Sequence, residues 1–197
     1  MQNDRLLSQV TFILEVDKMK NVLRQTLITD GSRRENDAEH SWHLALCAMV
    51  FMEYGPKGLD MEKVLKMCIV HDLVEIYAGD TFAYDVKGNE DKALREEQAA
   101  DKLFALLPKE QGAEIRALWE RYDAMEDKEA CYANAMDRLQ PLLHNWATQG
   151  HTWRAGNVKK AQVLKRMDMV RQATPEIWPF VLSIIEGGIE KGYIKED

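Results

Sequence analysis

Apolar residues recur along most of this chain at spacings of three and four, the period of an amphipathic helix. Leu6, Leu7, Val10, Ile13 and Leu14 share one face of a first helix, whose pattern runs on past Met19 and Val22 toward Arg24. The charged, turn-forming segment from Thr29 to Glu35 separates it from a second helix, where Asn36 and Glu39 stand at capping-box spacing and the pattern continues to about Tyr54. Gly55-Pro56-Lys57-Gly58 breaks that helix, Asp60 caps a third, and the third stops near Gly79. From Gly79 to about Asn89 no period holds, and so long an irregular stretch is a candidate wall or lid of a site. Helical spacing returns from Glu90 to Leu107, breaks at Pro108, resumes through Ile115, Leu118 and Trp119, and begins again after Asp127. Gly150 to Asn157 reads as a turn, Val158 to Ala173 as a further helix, and Thr174-Pro175-Glu176 as the opening of the last. With no alternating strand pattern, repeat or linker, the chain is expected to be all-α: a compact multi-helix fold in one domain spanning residues 1–197.

Polar residues intrude on the apolar stripes at three places. The stripe from Met61 through Val64 and Cys68 arrives at His71, Asp72 and Glu75, which therefore point where core should be. A buried carboxylate needs a cation, a partner or hydrogen bonds. A divalent metal meets that need; so does an arrangement in which Asp72 orients His71 or pairs with an arginine. His40 falls on a stripe with His43, Leu44, Cys47 and Phe51, as a hydrogen-bonded core residue or as a ligand. His43 lacks the spacing and the intervening glutamate of a zinc-protease helix and reads as packing, and Trp42 lies off the stripe. Asp137 shares a face with Ala130, Ala133, Gln140 and His144, among small residues that let another helix come close. Pro141 cannot donate to the Asp137 carbonyl, which predicts a kink at the acidic residue. A salt bridge to a neighbouring arginine is the alternative use of Asp137.

Composition narrows the function classes. With 46% hydrophobic and 30% charged residues the 197-residue chain can fill one core, and its formal charge of −7 argues against a polymeric nucleic acid partner while leaving room for a single nucleotide. The three cysteines, Cys47, Cys68 and Cys131, show no C-x-x-C spacing and sit in apolar helical patterns, as reduced core residues do. The N-terminus lacks the order of a secretion signal, and the longest apolar run, Leu44 to Met52, is too short to span a bilayer. A soluble, cytoplasmic protein with no membrane partner is expected.

His40, the pair His71-Asp72, and Asp137 stand in the order H…HD…D on three helices. The chain in this respect resembles the HD-domain metal-dependent phosphohydrolases, over most of its length. It is most similar to the small branch related to bacterial 5′-deoxynucleotidases, in which an R-x-E-N-x-x-E-H string precedes HD-x-x-E and then GD. Here these read Arg33-Arg34-Glu35-Asn36-Asp37-Ala38-Glu39-His40, His71-Asp72-Leu73-Val74-Glu75, and Gly79-Asp80.

The resemblance implies an HD-domain fold in which His40, His71, Asp72 and Asp137 hold one divalent ion. Two imidazoles and two carboxylates suit Mn²⁺, Co²⁺, Fe²⁺ or Ni²⁺, with Mg²⁺ and Zn²⁺ also compatible. It implies hydrolysis of a phosphomonoester, with a (deoxy)nucleoside 5′-monophosphate as substrate. Glu75 is then placed to orient or deprotonate the nucleophile, and Asp80 is the other catalytic candidate. So many carboxylates around a phosphate call for arginine, and Arg24 and Arg33 precede His40, with Arg34 a less favoured choice. Similar deoxynucleotidases carry an aromatic residue after the arginine of the first helix, where it helps shape the sugar pocket; here Gln25 follows Arg24, which leaves deoxyribose against ribose open. Between Asp72 and Asp137 there is no histidine, so a mononuclear centre is expected rather than the dinuclear one of HD phosphodiesterases and oxygenases. Alarmone-type pyrophosphohydrolysis and a non-catalytic, metal-stabilised nucleotide-binding module are the other readings. Similar proteins, together with Trp146, Trp153 and Trp178 late in the chain, suggest a homodimer.

Overall fold

The computed structural model describes residues 2–197; Met1, the first residue of the expected single-domain span, lies outside them. Helix α1 covers Gln2–Val16, and a short 3-10 turn follows at Asp17–Asn21. The chain is then extended, against expectation. Leu23–Leu27 (β1) and Arg34–Asn36 (β2) form an antiparallel two-stranded ribbon, with Leu23 paired to Asn36 and Leu27 to Arg34. Leucines at 23 and 27 satisfy a helical spacing as well as an extended one, and the ribbon is decided by the turn between the strands. There Gly31 takes φ +74°, Ser32 N donates to Asp30 Oδ1 at 2.8 Å, and Ile28 N donates to Arg33 O at 3.1 Å.

Helix α2, Asp37–Val50, opens with the capping box foreseen at Asn36: Glu39 N donates to Asn36 Oδ1 at 3.0 Å and Asn36 N to Glu39 Oε2 at 3.3 Å. It ends before Tyr54, which lies in a 3-10 turn. Helix α3, Met61–Val70, is capped by Asp60 and stops at the HD pair rather than near Gly79. His71 to Val74 form a turn, and Glu75–Ala78 (α4) is a single further helical turn closed by Gly79 at φ +77°. The irregular segment after it is held by one side chain on α5, Lys92–Phe104. Arg95 donates to Ala78 O at 2.6 Å, Gly88 O at 2.9 Å and Thr81 Oγ1 at 3.0 Å.

Helix α6, Lys109–Ala124, and the long α7, Lys128–Ala147, follow, and α7 runs through Pro141 without interruption. The expected turn at 150–157 contains a short helix, α8 (His151–Ala155), and the expected helix 158–173 is split into α9 (Lys160–Arg166) and α10 (Asp168–Ala173). The last helix, α11, is Trp178–Glu190, entered through Pro175. Leu44 and Ala48 of α2, Val64, Met67 and Cys68 of α3, and Ala133, Met136 and Leu139 of α7 are buried together, so these three helices form the central core. Tyr132 Oη locks α7 to α2 by donating to Ala48 O at 2.9 Å. The α1 stripe contributes little to the buried interior: Phe12 is buried, but Leu6, Leu7, Val10, Ile13 and Leu14 are exposed. The fold is helical apart from the ribbon, and among the described residues no helix is long and apolar enough to cross a membrane.

Candidate metal centre and cavity

The three central helices bring the four residues expected as ligands close together, and His40, His71 and Asp72 form a group with the spacing of a metal site. Small residues on α7, Ala133 and Ala135, let α2 and α3 approach Asp137 closely. His40 Nε2 lies 2.9 Å from Asp137 Oδ1 and 3.7 Å from Asp72 Oδ2; His71 Nε2 lies 2.9 Å from Asp72 Oδ2 and 3.8 Å from Asp137 Oδ1. Atoms bound about 2.1 Å from one ion in adjacent positions stand about 3 to 4 Å from each other, so this donor set fits a single divalent cation. His71 Nδ1 faces Cys68 O at 3.0 Å, which directs the other nitrogen inward, and that buried Nε2 has no well-formed hydrogen bond.

The electrostatics fit a cation as well. Burial opposes charge on His71, but Asp72 and Asp137 outweigh it and push its pKa up to about 10. Burial and the Arg24 charge bring His40 down to about 4. Burial works against charge on Asp72 too, yet His71 and Arg24 hold its carboxyl well below the usual range. Without an ion the two carboxylates thus borrow one positive charge from a proton on His71. A divalent cation supplies that charge directly.

A second acidic group adjoins the first. Carboxylate oxygens of Asp37, Glu75 and Asp80 lie within 4.8 Å of one another, another place where a cation could be held, whereas the sequence led to one mononuclear centre. Burial, then the charges of Asp72 and Asp37, raise the Glu75 pKa well above the carboxylate range, and burial with Asp72 lifts Asp37 to about 7. Glu75 Oε2 is buried without a hydrogen-bond partner among the described residues. Glu75 and Asp80 both line the cavity that opens beside the HD pair.

Of the two arginines expected to bind phosphate, Arg24 lines the cavity and Arg33 does not. Arg24 lines the cavity from β1, reaching Asp72 Oδ2 at 2.7 Å and Asp37 Oδ1 at 3.3 Å. Arg33 does not line it: in the ribbon turn, exposed, it forms a two-pronged pair with Glu39 at 2.7 and 2.8 Å. The physical reason is its place in the turn between the strands, outside β2, where the nearest carboxylate is Glu39 on the first turn of α2. Arg34 is used by the ribbon, donating to the carbonyls of Arg24 and Leu23. The cations that sequence reasoning missed are Lys92, Arg138 and Arg166, all lining the cavity. Among the described residues Arg138 has no carboxylate partner at hydrogen-bond distance, and burial together with the Arg166 charge lowers its pKa. Arg166 reaches Asp137 Oδ2 at 3.5 Å. The irregular segment supplies aromatic wall: Phe82 and Tyr84 meet edge to face at 5.3 Å, and Gln25 lines the cavity beside Arg24.

Residues 16–178 match the family model of the HD domain. The chain belongs to the HD-domain family. Among curated proteins it is similar to human 5′-deoxynucleotidase HDDC2, 28% identical over 137 residues that cover 69% of this chain and 66% of that protein. The *Dictyostelium discoideum* protein of the same name is 28% identical over 152 residues, 74% of this chain and 80% of its own length. The match thus spans slightly less than two thirds of the human HD-domain protein. A crystal structure described as a predicted metal-dependent phosphohydrolase, from *Magnetospirillum magnetotacticum* MS-1, superposes with a TM-score of 0.93 at 44% identity, covering 98% of this chain and 97% of that one. A *Pyrococcus horikoshii* OT3 structure, at 24% identity and TM-score 0.65, shares the HD fold over 90% of this chain and 98% of its own.

Proposed function

We propose that this HD-domain protein is a metal-dependent phosphomonoester hydrolase acting on (deoxy)nucleoside 5′-monophosphates. The observation that carries the reading is the convergence of His40, His71, Asp72 and Asp137 beside a cavity walled by Glu75, Asp80 and Arg24. The similarity to named 5′-deoxynucleotidases and to a metal-dependent phosphohydrolase supports it. One divalent transition ion, Mn²⁺, Co²⁺, Fe²⁺ or Ni²⁺, would polarise the phosphoryl group and acidify its bound water. The protein's own groups do the rest. A cation that offsets Asp72 and Asp37 would let Glu75 ionise, and its Oε2, buried without a hydrogen-bond partner among the described residues, would then take the proton of the attacking water. Asp80 holds that water in line, Arg24 together with Arg138 and Arg166 binds the phosphate oxygens, and Phe82 and Tyr84 offer faces on which a base can stack.

The proposal includes one domain along the whole chain, since a continuous buried cluster joins α2, α3 and α7 to α10 and α11. It includes a cytoplasmic location, which the free cysteines Cys47, Cys68 and Cys131 fit. It includes a homodimer: of the late tryptophans Trp153 is buried and Trp146 and Trp178 are half-buried, whereas the α1 stripe of Leu6, Leu7, Val10, Ile13 and Leu14 is exposed and offers the larger apolar face. Sedimentation at micromolar concentration tests the dimer, and a monomer there removes it. The activity is tested by phosphate release from a panel of ribo- and deoxyribonucleoside monophosphates with Mn²⁺, with Co²⁺ and with chelator. Metal-dependent release from the nucleotides is expected; no release with any ion would favour a nucleotide-binding module instead.

A further inference from the structure

Behind the candidate metal centre lies a buried polar group that the proposed reaction does not use. Glu35, Gln140 and His144 are buried, and His43 borders them. Glu35, His43 and His144 have the residue types and closeness of a second metal site. The middle of that group is occupied, however, by the side-chain amide of Gln140. Its Nε2 donates to Glu35 Oε1 at 2.7 Å and stands 3.1 Å from His43 Nδ1 and 3.3 Å from His144 Nε2. At its other end Gln140 Oε1 lies 3.1 Å from His40 Nδ1.

We propose that Gln140, oriented by Glu35, is a positioning residue that fixes which nitrogen of His40 faces the metal centre. The inference rests on the reading of His40 as a ligand. A side-chain amide is a donor at one end and an acceptor at the other, so its direction is set by the more demanding neighbour. Glu35 Oε1 accepts whether the carboxyl is ionised or carries its proton on Oε2, and the two histidine nitrogens can accept the second N–H. The amide nitrogen therefore faces Glu35 and the oxygen faces His40. His40 Nδ1 must then be the donor, and Nε2, pointing to Asp137 Oδ1 at 2.9 Å, is left with its lone pair for a cation. Reversing the amide would set oxygen against Glu35 and a donor against Nδ1, moving the His40 hydrogen to Nε2, where a ligand cannot carry one. Gln140 follows Asp137 by one helical turn on α7, so a single helix places one ligand and orients another.

Co²⁺ alone, titrated by calorimetry and by its visible spectrum, tests this without reference to turnover. Gln140→Leu should weaken Co²⁺ binding roughly tenfold to a hundredfold, the scale for lost outer partners of metal-binding histidines. The exchange Glu35→Gln with Gln140→Glu preserves size and keeps an acceptor facing His40 Nδ1, with the amide now donating from position 35. It should bind Co²⁺ as tightly as wild type and restore the spectrum. A merely structural role for Gln140 predicts no such rescue. Wild-type affinity in a folded Gln140→Leu protein overturns the inference, and so does an exchange variant that loses tenfold or more; if Gln140→Leu does not fold, the exchange decides. His40→Ala separates the two readings. If it binds Co²⁺ as wild type does, His40 is no ligand; if it loses Co²⁺ while folded Gln140→Leu keeps it, the inference about Gln140 alone fails.

Discussion

Arg24 Nη1 donates to Asp72 Oδ2 at 2.7 Å and stands 3.3 Å from Asp37 Oδ1, so one guanidinium bridges the two acidic groups of the cavity. Burial alone would lower its pKa, but Asp72 and Asp137 raise it well above the ordinary value, and the charge is permanent. Arg24→Met should leave those carboxylates uncompensated in the core and destabilise the metal-free protein by about 3 to 5 kcal/mol, the scale for breaking a buried pair. Added Mn²⁺ replaces the missing charge and should recover much of the loss. Melting with and without Mn²⁺ checks this; an equal deficit in both conditions would mean that Arg24 does not share its carboxylates with an ion.

Arg138 and Arg33 should behave oppositely. Arg138 lines the cavity without a carboxylate partner, whereas Arg33 is spent on Glu39 at the surface. Removing a charge-assisted contact to phosphate costs about 1.5 to 3 kcal/mol. Arg138→Ala should accordingly lower kcat/KM for nucleoside monophosphates by roughly tenfold to a hundredfold, and Arg33→Ala should leave it near wild type, because an exposed pair contributes about 0 to 1 kcal/mol of stability. Steady-state kinetics of the two variants decide the matter, and a large KM effect at Arg33 would reinstate the sequence-based assignment.

That contrast marks where the sequence was legible. Asn36 with Glu39 and Asp60 are read by local rules, because a cap bonds to an amide three residues on, and each forms as expected. His40, His71, Asp72 and Asp137 were legible because each breaks an apolar stripe, and what breaks a stripe must meet something polar in the core. Arg138 and Arg166 break no stripe, and only the packing of α7 against α10, which follows directly on α9, turns them to the cavity. Gln140 was on the stripe with Asp137, but nothing local says which way its amide points. The ribbon escaped because Leu23 and Leu27 fit both periods, and nothing in the amphipathic period of α1 says that the folded chain leaves its apolar face exposed.

The Glu35 carboxyl gives a pH dependence. Burial raises its pKa from 4.5 to about 7, against the lowering influence of Arg24 and Gln140. The folded protein therefore holds this proton more tightly than the unfolded chain. The associated stability is present below the unfolded value and is lost as pH rises through about 7. The swing is equivalent to roughly 3 kcal/mol. In metal-free protein, urea denaturation of wild type and Glu35→Gln should show the wild type losing ground relative to the variant as pH is raised from about 5 to about 8. Parallel curves would mean that Glu35 stays ionised in the folded state.

Glu75 separates catalysis from binding most sharply. It is buried beside the HD pair with Oε2 unpartnered, yet belongs to a different acidic group from His40, His71 and Asp72. Glu75→Gln keeps the volume and removes the ability to accept a proton from water, so turnover should fall by about two orders of magnitude or more, the scale of a lost general base. Metal bound at the HD residues should remain near the wild-type amount by elemental analysis, and nucleotide binding should survive. Asp72→Ala should instead lose metal and activity together, and stability with them, because His71 and Arg24 would be left without their carboxylate. Near-normal hydrolysis by Glu75→Gln would move the base to Asp80, which lines the same cavity and whose pKa is also raised by burial. Loss of metal from Glu75→Gln would show instead that the Asp37, Glu75 and Asp80 carboxylates serve the cation and not the water.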